Sequence, residues 1–333
     1  MTEHAKHRRL ATIYSVADQA SVSIATVSRV LQGSPTVSQQ TRDKVIAVME
    51  ELNYLPSGAA RSLAVRHHAT YGLVLPELGG PYYAELLAGF ETRAGELDQG
   101  VMLVLAGTKE DRSRAVRTLA TRVDGIALFG ADTACHVHRG SRPMVIVAGP
   151  AQPGVEAIAA ENLAAAESLT GHVLDHGRTN LLFLGDTAAA PDALERYEGF
   201  CAAHRARGLE PSLPVPLELR ESHGTAFAER LLAGEVEADA LVCSNDELAL
   251  AAMARLLDGG VDVPGDVAVV GWDDVMTARY VRPGLTTVRQ PVGDLGALAA
   301  DRLHHLVSGA VPRAERQVLP TELVIRSSCG CPP

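Results

Sequence analysis

Residues Thr12 to Gln32 read TIYSVADQASVSIATVSRVLQ, two short amphipathic periods separated by a turn. Thr12 offers a hydroxyl cap to a first helix in which Ile13, Val16, Ala17 and Ala20 share one face, and Val22 fills the turn. Ser23 caps a second helix whose Val27, Val30 and Leu31 recur at the spacing of a buried stripe. The opposite face carries Ile24, Ala25, Thr26, Ser28 and Arg29. A helix face that merely meets solvent favours Glu and Lys. Small residues, two hydroxyls and one Arg suit a DNA groove instead: the hydroxyls bond phosphate oxygens, Ile24 or Ala25 meets a thymine methyl, and Arg29 grips a guanine edge. Taken alone, the pattern also describes any helical hairpin, so the neighbouring sequence must decide.

Ser38 opens a third helix, 39 to 52, whose Val45, Val48, Met49 and Leu52 form the stripe that covers the first two. Asn53-Tyr54-Leu55-Pro56 ends it, and Ser57-Gly58-Ala59-Ala60-Arg61-Ser62-Leu63-Ala64 follows. With VSIATVSRVLQG, VSQQTRDKV, LNYLP and AARSL in this order and spacing, the chain resembles the LacI family of bacterial repressors. The resemblance implies DNA contacts from Tyr14, Ser23, Ile24, Ala25, Thr26, Ser28, Arg29, Gln32, Tyr54, Ala60 and Leu63. It also implies that 57–64 is a hinge helix that folds on operator DNA, with Leu63 wedged into the minor groove. An Ala-rich segment of this length is too short to be a stable helix unaided, and an inserted Leu exchanges base stacking for a bend. Without the preceding helices the same segment would read as a plain linker.

The expected fold class is α/β: a three-helix head at 1–56, hinge and linker at 57–67, then a two-lobed periplasmic-binding-protein-like body of parallel sheets flanked by helices. By the resemblance the lobes are discontinuous, 68–160 with 291–319 and 161–290 with 320–328, and 329–333 is a tail. A chain of 333 residues has room for this. Its charge is divided to match. Residues 1–66 hold eight Lys or Arg against five Asp or Glu, a net of +3, leaving −13 of the total −10 on the remainder. Only the head suits phosphate, and so weak an anchor is expected to act as a homodimer with two heads on a palindrome. Nothing after Arg326 resembles a heptad tail that would make a tetramer.

No stretch is apolar for long enough to span a bilayer, and Met1 to Leu10 lacks the apolar run of a signal peptide, so a cytoplasmic protein is expected. Cys135, Cys201, Cys243, Cys329 and Cys331 show neither a disulfide framework nor zinc spacing. Cys135-His136-Val137-His138 has ligand-type residues but no ligand-rich segment near it, which favours a loop over a metal site, and Cys329-Gly330-Cys331 reads as a frayed tail. No metal or cofactor is expected.

From Tyr71 onward, short apolar runs alternate with longer helical periods, the mark of parallel-sheet units. Strands are expected at 71–75, 101–106, 125–129 and 144–148, with helices at 83–98 and 112–122. A second half follows, with strands at 180–185, 216–219, 240–243 and 267–271 and helices at 163–176, 193–207, 225–233 and 247–258. Two open sheets face each other across a cleft, and their ligands bind beyond the carboxyl ends of strands. The aromatic pair Tyr82 and Tyr83 follows the first strand and suits a sugar ring or a flat base. Ser244-Asn245-Asp246 and Trp272-Asp273-Asp274 follow two strands of the second half.

The resemblance implies effector contacts from Asn245, Asp273 and Arg196, with His223 where relatives place a stacking aromatic and Asp192 as a further contact. Structural alternatives stand beside them: Asp246 and Asp274 as helix caps, and Arg196 paired with a nearby Glu. Several positions depart from the family pattern. Ser21 stands in place of Gly at the end of the first helix, where a left-handed backbone would cost about 1 kcal/mol. Ala64 replaces a Lys found in some relatives, and Glu77 to Pro81 replaces a more polar loop.

The common phosphate, dinucleotide, hydrolase and zinc-protease signatures are missing, so the cleft reads as a sensor rather than an active site. The expectation is a dimeric repressor of carbohydrate genes, switched by a sugar or glycoside, with a purine-like ligand as the second choice. A small-molecule binding protein without DNA activity is the competing class.

Overall fold

The computed structural model describes residues 11–31, 34–54, 68–130 and 142–332. Gln32, Ala60, Leu63, the hinge segment 57–64 and the Cys135-His136-Val137-His138 run lie outside the described residues. The chain divides into two compact units, 1–70 and 71–333.

In the first unit, α1 (Ile13–Gln19), α2 (Ile24–Leu31) and α3 (Gln39–Glu51) pack around Val16, Ala17, Ala20, Val27, Val30, Val45 and Val48. Hydroxyls start each helix. Thr12 and Ser15 form a reciprocal capping box, Ser23 Oγ accepts from Thr26 N at 3.1 Å, and Ser38 Oγ accepts from Thr41 N at 3.3 Å. Ser21 adopts φ +51, so the turn does use the left-handed backbone that a glycine would take without strain.

The second unit contains two parallel sheets. The larger has strand order β10-β5-β4-β3-β1-β2, from β1 (Thr70–Leu75), β2 (Gly100–Leu105), β3 (Gly125–Phe129), β4 (Met144–Val147), β5 (Glu156–Ala160) and β10 (Gln317–Leu319). Leu73 sits beside Ala127, and Ala127 beside Val145, so small and branched residues alternate across its centre. Helices α4 (Gly80–Glu96) and α10 (Val292–Val307) cover one face with Leu86, Phe90, Leu295 and Leu303, while α5 (Lys109–Leu119) covers the other. The α4–α10 pair is closely packed because a Cβ on Gly89 would stand 2.0 Å from the Gly293 carbonyl oxygen.

The smaller sheet has order β6-β7-β8, from β6 (Leu181–Leu184), β7 (Ala240–Cys243) and β8 (Ala268–Val270). Helices α6 (Leu163–Asp175) and α7 (Pro191–Ala206) cover one face, and α8 (Glu221–Leu232) and α9 (Asp246–Asp258) the other. A short antiparallel pair, β9 (Thr287–Arg289) with β11 (Glu322–Val324), lies beside it. The chain thus passes between the lobes three times, after β5, after β9 and after β10.

Three expectations are corrected here. Residues 216–219 form no strand; just before them Val215 makes a single parallel bridge to Leu184, and Pro214 and Pro216 on either side of it have no N–H to extend a ladder. The C-terminal Cys329-Gly330-Cys331 is no frayed tail: Cys329 is fully buried in the core of the second lobe. Tyr54 is also buried, at 9% exposure, as part of the head core rather than its outer surface.

Candidate functional site: an interlobe cleft and an exposed recognition helix

On the head, Val27 and Val30 turn inward, so Ser23, Ile24, Ala25 and Arg29 are left exposed, with Thr26 and Ser28 half-buried at the margin. Ile24 is 41% exposed and Tyr14 is 69% exposed, large apolar surfaces that a lone head leaves uncovered. This is the face read from the sequence as the groove wall.

In the second unit, strand ends from both sheets converge on a cavity of about 330 Å³. Pro76 follows β1, Gly107 follows β2, Phe129 and Gly130 end β3, Ala148 follows β4, Asn245 follows β7 and Asp273 follows β8. All stand at carboxyl ends, where open parallel sheets collect ligands. Pro81 is the second residue of α4, and Tyr82 and Tyr83 follow it in the first turn, where both pack edge-on against Phe129 with centroids 5.7 and 5.2 Å away. Gly80, at φ +73, takes a left-handed backbone that glycine adopts without strain.

Arg196 enters from α7 and is 5% exposed. Its Nε donates to Asn162 Oδ1 at 2.8 Å and its Nη1 to the Ser244 carbonyl oxygen at 2.5 Å, while Nη2 lies 3.8 Å from Asp192 Oδ2. The guanidinium stacks over Trp272 at 4.6 Å. Arg196 is therefore held by groups from several elements rather than by a nearby Glu. Asn245 caps α9, accepting from Leu248 N at 3.0 Å and donating to the Leu219 carbonyl at 3.3 Å. The capping role considered for Asp246 belongs to Asn245. Asp246 is instead fully buried, accepting from Thr287 Oγ1 at 2.7 Å and Val275 N at 2.9 Å, and Asp274 is clasped by Arg289 and Arg326.

Asp273 has φ +120, a backbone conformation that L side chains rarely adopt, and costs of order 1–3 kcal/mol are characteristic of such residues at ligand sites. Gln290 Nε2 donates to its Oδ1 at 2.6 Å. Burial pushes the Asp273 carboxyl up to about 7, opposed by Arg196 and by the Gln290 hydrogen bond. Burial likewise raises Asp192 and Glu247 and carries the Tyr82 hydroxyl well above its ordinary value, with Asp192 and Asp273 adding to it. Among the described residues, Asp192 Oδ1, Gln290 Oε1 and Arg112 Nε are buried lining atoms with no hydrogen-bond partner within the protein. Across the mouth, Arg220 Nη2 donates to Glu77 Oε2 at 2.7 Å, an ion pair joining the two lobes.

The cleft brings together Tyr82, Tyr83, Asp192, Arg196, Asn245 and Asp273. His223 does not line it; its ring turns back on the Glu218 carbonyl oxygen at 3.3 Å, and Leu217 to Arg220 form the wall instead. Sequence reasoning passed over Glu77, Arg112, Phe129, Arg220, Glu247 and Gln290. Phe129 and Glu247 were reachable, as they sit at or just beyond expected strand ends; Gln290 was not, because the strand it follows, β9, is only three residues long.

A helix-turn-helix head with an exposed hydroxyl-and-Arg face, carried on a body with a ligand-sized interlobe cleft, defines the class of ligand-responsive DNA-binding regulators. Residues 12–57 match bacterial regulatory proteins of the lacI family, and residues 170–329 match a periplasmic binding protein-like domain. The ribose operon repressor of Escherichia coli (strain K12) is 32% identical over 335 residues, covering 96% of this chain and 100% of that protein. Catabolite control protein A of Priestia megaterium is 31% identical over 327 residues, covering 95% and 98%. A lac repressor dimer bound to operator and the anti-inducer ONPF aligns with a TM-score of 0.85 at 27% identity, covering 96% and 99%. The chain belongs to the LacI family of DNA-binding transcriptional regulators, whose body binds an allosteric effector. The curated relatives named here are regulators rather than enzymes, and no helix among the described residues is long and apolar enough to cross a membrane.

Proposed function

We propose that the protein is a homodimeric repressor of carbohydrate-uptake or catabolism genes, released from or fixed on a palindromic operator by a sugar or glycoside held between its lobes. The observation that carries the ligand class is the pair of buried, unpartnered acceptors Asp192 Oδ1 and Gln290 Oε1 beside Asp273 in an aromatic-walled cavity. Buried acceptors demand donors, and a ring bearing several hydroxyls supplies them while its apolar face lies on Tyr82 or Tyr83. A cavity of about 330 Å³ is at the small end of ligand sites, which run to roughly 1,000 Å³, and suits one or two rings. Asp192, Arg196, Asn245 and Asp273 hold the hydroxyls in this reading. On the head, Arg29 reads a base edge and Ile24 and Ala25 meet thymine methyls, while Tyr14, Ser23, Thr26 and Ser28 hold phosphates.

Coupling needs only modest energy. An effector preferring one lobe arrangement over another by a few kcal/mol changes operator occupancy manyfold. Differential scanning fluorimetry against monosaccharides, glycosides and nucleobases tests the ligand class, since a ligand that binds the folded state raises the melting temperature by mass action. A shift from a sugar alone supports the proposal, and a shift from purines alone overturns it. A gel shift on palindromic duplexes, with and without the hit, tests the DNA arm; a protein with no shift on any palindrome is a solute receptor.

A further inference from the structure

Cys329, Cys331, His172 and His176 lie 153 residues or more apart in pairs, yet their ligand atoms all fall within 4.8 Å of one another, and among the described residues this is the single such His/Cys grouping. His172 and His176 are one turn apart at the end of α6, with rings 4.8 Å apart at 88°. The tail reaches them because Ser328 is buried beneath β8, its Oγ donating to the Val269 carbonyl at 2.5 Å and accepting from Thr286 N at 2.9 Å. Gly330 then turns at φ +113, placing both sulfurs on the same side. None of the four residues lines the interlobe cavity.

We propose that these residues form a Cys2His2 site for a zinc-class divalent transition metal, stapling the C-terminus to α6. Three sulfur–nitrogen distances are in place: His172 Nε2 is 3.3 Å from Cys329 Sγ and 3.5 Å from Cys331 Sγ, and His176 Nε2 is 3.3 Å from Cys331 Sγ. Tetrahedral zinc, with Zn–S about 2.3 Å and Zn–N about 2.0–2.1 Å, sets such an edge at about 3.5 Å. His176 is exposed and Cys331 half-buried, so small side-chain rotations close the remaining edges. Two thiols and two imidazoles are soft and borderline donors, which select zinc over magnesium or calcium. The site also has outer support, as Thr286 Oγ1 donates to Cys329 Sγ at 3.2 Å, favouring the thiolate. On binding, each thiol releases its proton to solvent and forms a metal–sulfur bond, with no change in oxidation state. Thr286 leads directly into β9 and so toward Gln290, so metal loading stiffens the segment that enters the cleft.

The test uses the full chain without an affinity tag, stripped with a chelator under a thiol-free reductant and titrated with Co2+ and then Zn2+. The expected result is one equivalent of Co2+ per chain, with the intense visible bands of tetrahedral cobalt and a near-ultraviolet thiolate-to-metal band, both erased by Zn2+. Cys331→Ser and His176→Ala, at the outer edge of the site, should each lower zinc affinity by at least roughly tenfold to a hundredfold and shrink the zinc-dependent rise in melting temperature. Cys135→Ser should leave both unchanged. No tetrahedral spectrum with the wild-type chain, the same spectrum from both outer variants, or a Cys329–Cys331 disulfide that persists under reductant in place of metal uptake would each overturn the proposal.

Discussion

Gln290 Nε2 donates to Asp273 Oδ1 across 2.6 Å, tying the residue that follows β9 to the loop that follows β8. Gln290 stands where the chain leaves the smaller lobe for α10 of the larger one, and both residues line the cavity. A ligand that engages Asp273 therefore acts on an interlobe crossing through a single hydrogen bond.

Gln290→Ala should lower affinity for the strongest sugar ligand by roughly tenfold to a hundredfold, the loss of one or two buried hydrogen bonds at about 1–3 kcal/mol. Operator binding without ligand should stay near wild type. Asp273→Asn combined with Gln290→Ala should fall short of the summed single effects, measured by calorimetric titration of all four proteins. Full additivity would mean the two residues meet the ligand independently.

The raised carboxyls each make a contribution to stability that depends on pH. Asp273 titrates near 7 when folded against an ordinary value of 3.8, so between those values the folded chain holds the proton and the unfolded chain does not. The contribution of Asp273 to stability then falls as pH rises from about 4 to about 7, and Asp192 and Asp246 push in the same direction. Asp273→Asn should flatten part of that slope and raise the melting temperature above wild type near pH 8. A variant whose melting temperature tracks wild type across the interval would show that Asp273 is charged throughout.

Arg196→Ala should abolish effector binding and destabilise the smaller lobe by roughly 2–4 kcal/mol, because it strands the Asn162 and Ser244 oxygens and leaves Asp192 without its cation. Chemical denaturation followed by Trp272 fluorescence reads that lobe directly. Arg196→Lys keeps the charge but loses the fork, and should recover less than half of the lost stability.

In the head, Tyr54 and Arg29 should separate by the kind of DNA defect they produce. Tyr54→Ala removes a buried ring and should unfold the head by roughly 3–5 kcal/mol, losing all DNA binding, whereas Tyr54→Phe stays close to wild type. Arg29→Ala should keep the head folded and lose discrimination at one base pair per half-site, worth about 1–3 kcal/mol. Binding to a set of single-base operator variants distinguishes the two.

The Glu77–Arg220 pair across the mouth should contribute little. Both side chains are well exposed, 37% and 53%, and such pairs are worth at most about 1 kcal/mol. Glu77→Gln and Arg220→Gln should each change ligand affinity by less than about fivefold, with the difference shrinking in high salt.

The head could be read almost residue by residue because its cues are local. Caps at Thr12, Ser23 and Ser38 and the stripe Val27, Val30, Leu31 act within one or two turns. The strands ending at Leu75, Phe129 and Cys243 were legible for the same reason, as continuous apolar runs buried on both faces. Reading failed where the signal was short or shared. Glu156–Ala160 is a buried strand made mostly of alanine, and Val292–Val307 carries a clear period in Val292, Leu295, Ala299, Leu303 and Leu306 that sequence reading nevertheless passed over. His223 was misplaced because the resemblance supplied its role without its surroundings.

The sequence by itself determined that a basic, hydroxyl-rich helix stands on a small head and that a parallel α/β body follows, since both depend on periodicity and capping within a few residues. Tertiary structure alone decided which atoms face the cleft without partners, that Tyr54 belongs to the core, and that a tail of cysteines meets two histidines on α6. Those facts depend on groups far apart in the chain sharing a few ångströms of space, and proximity of that kind leaves no mark in local pattern.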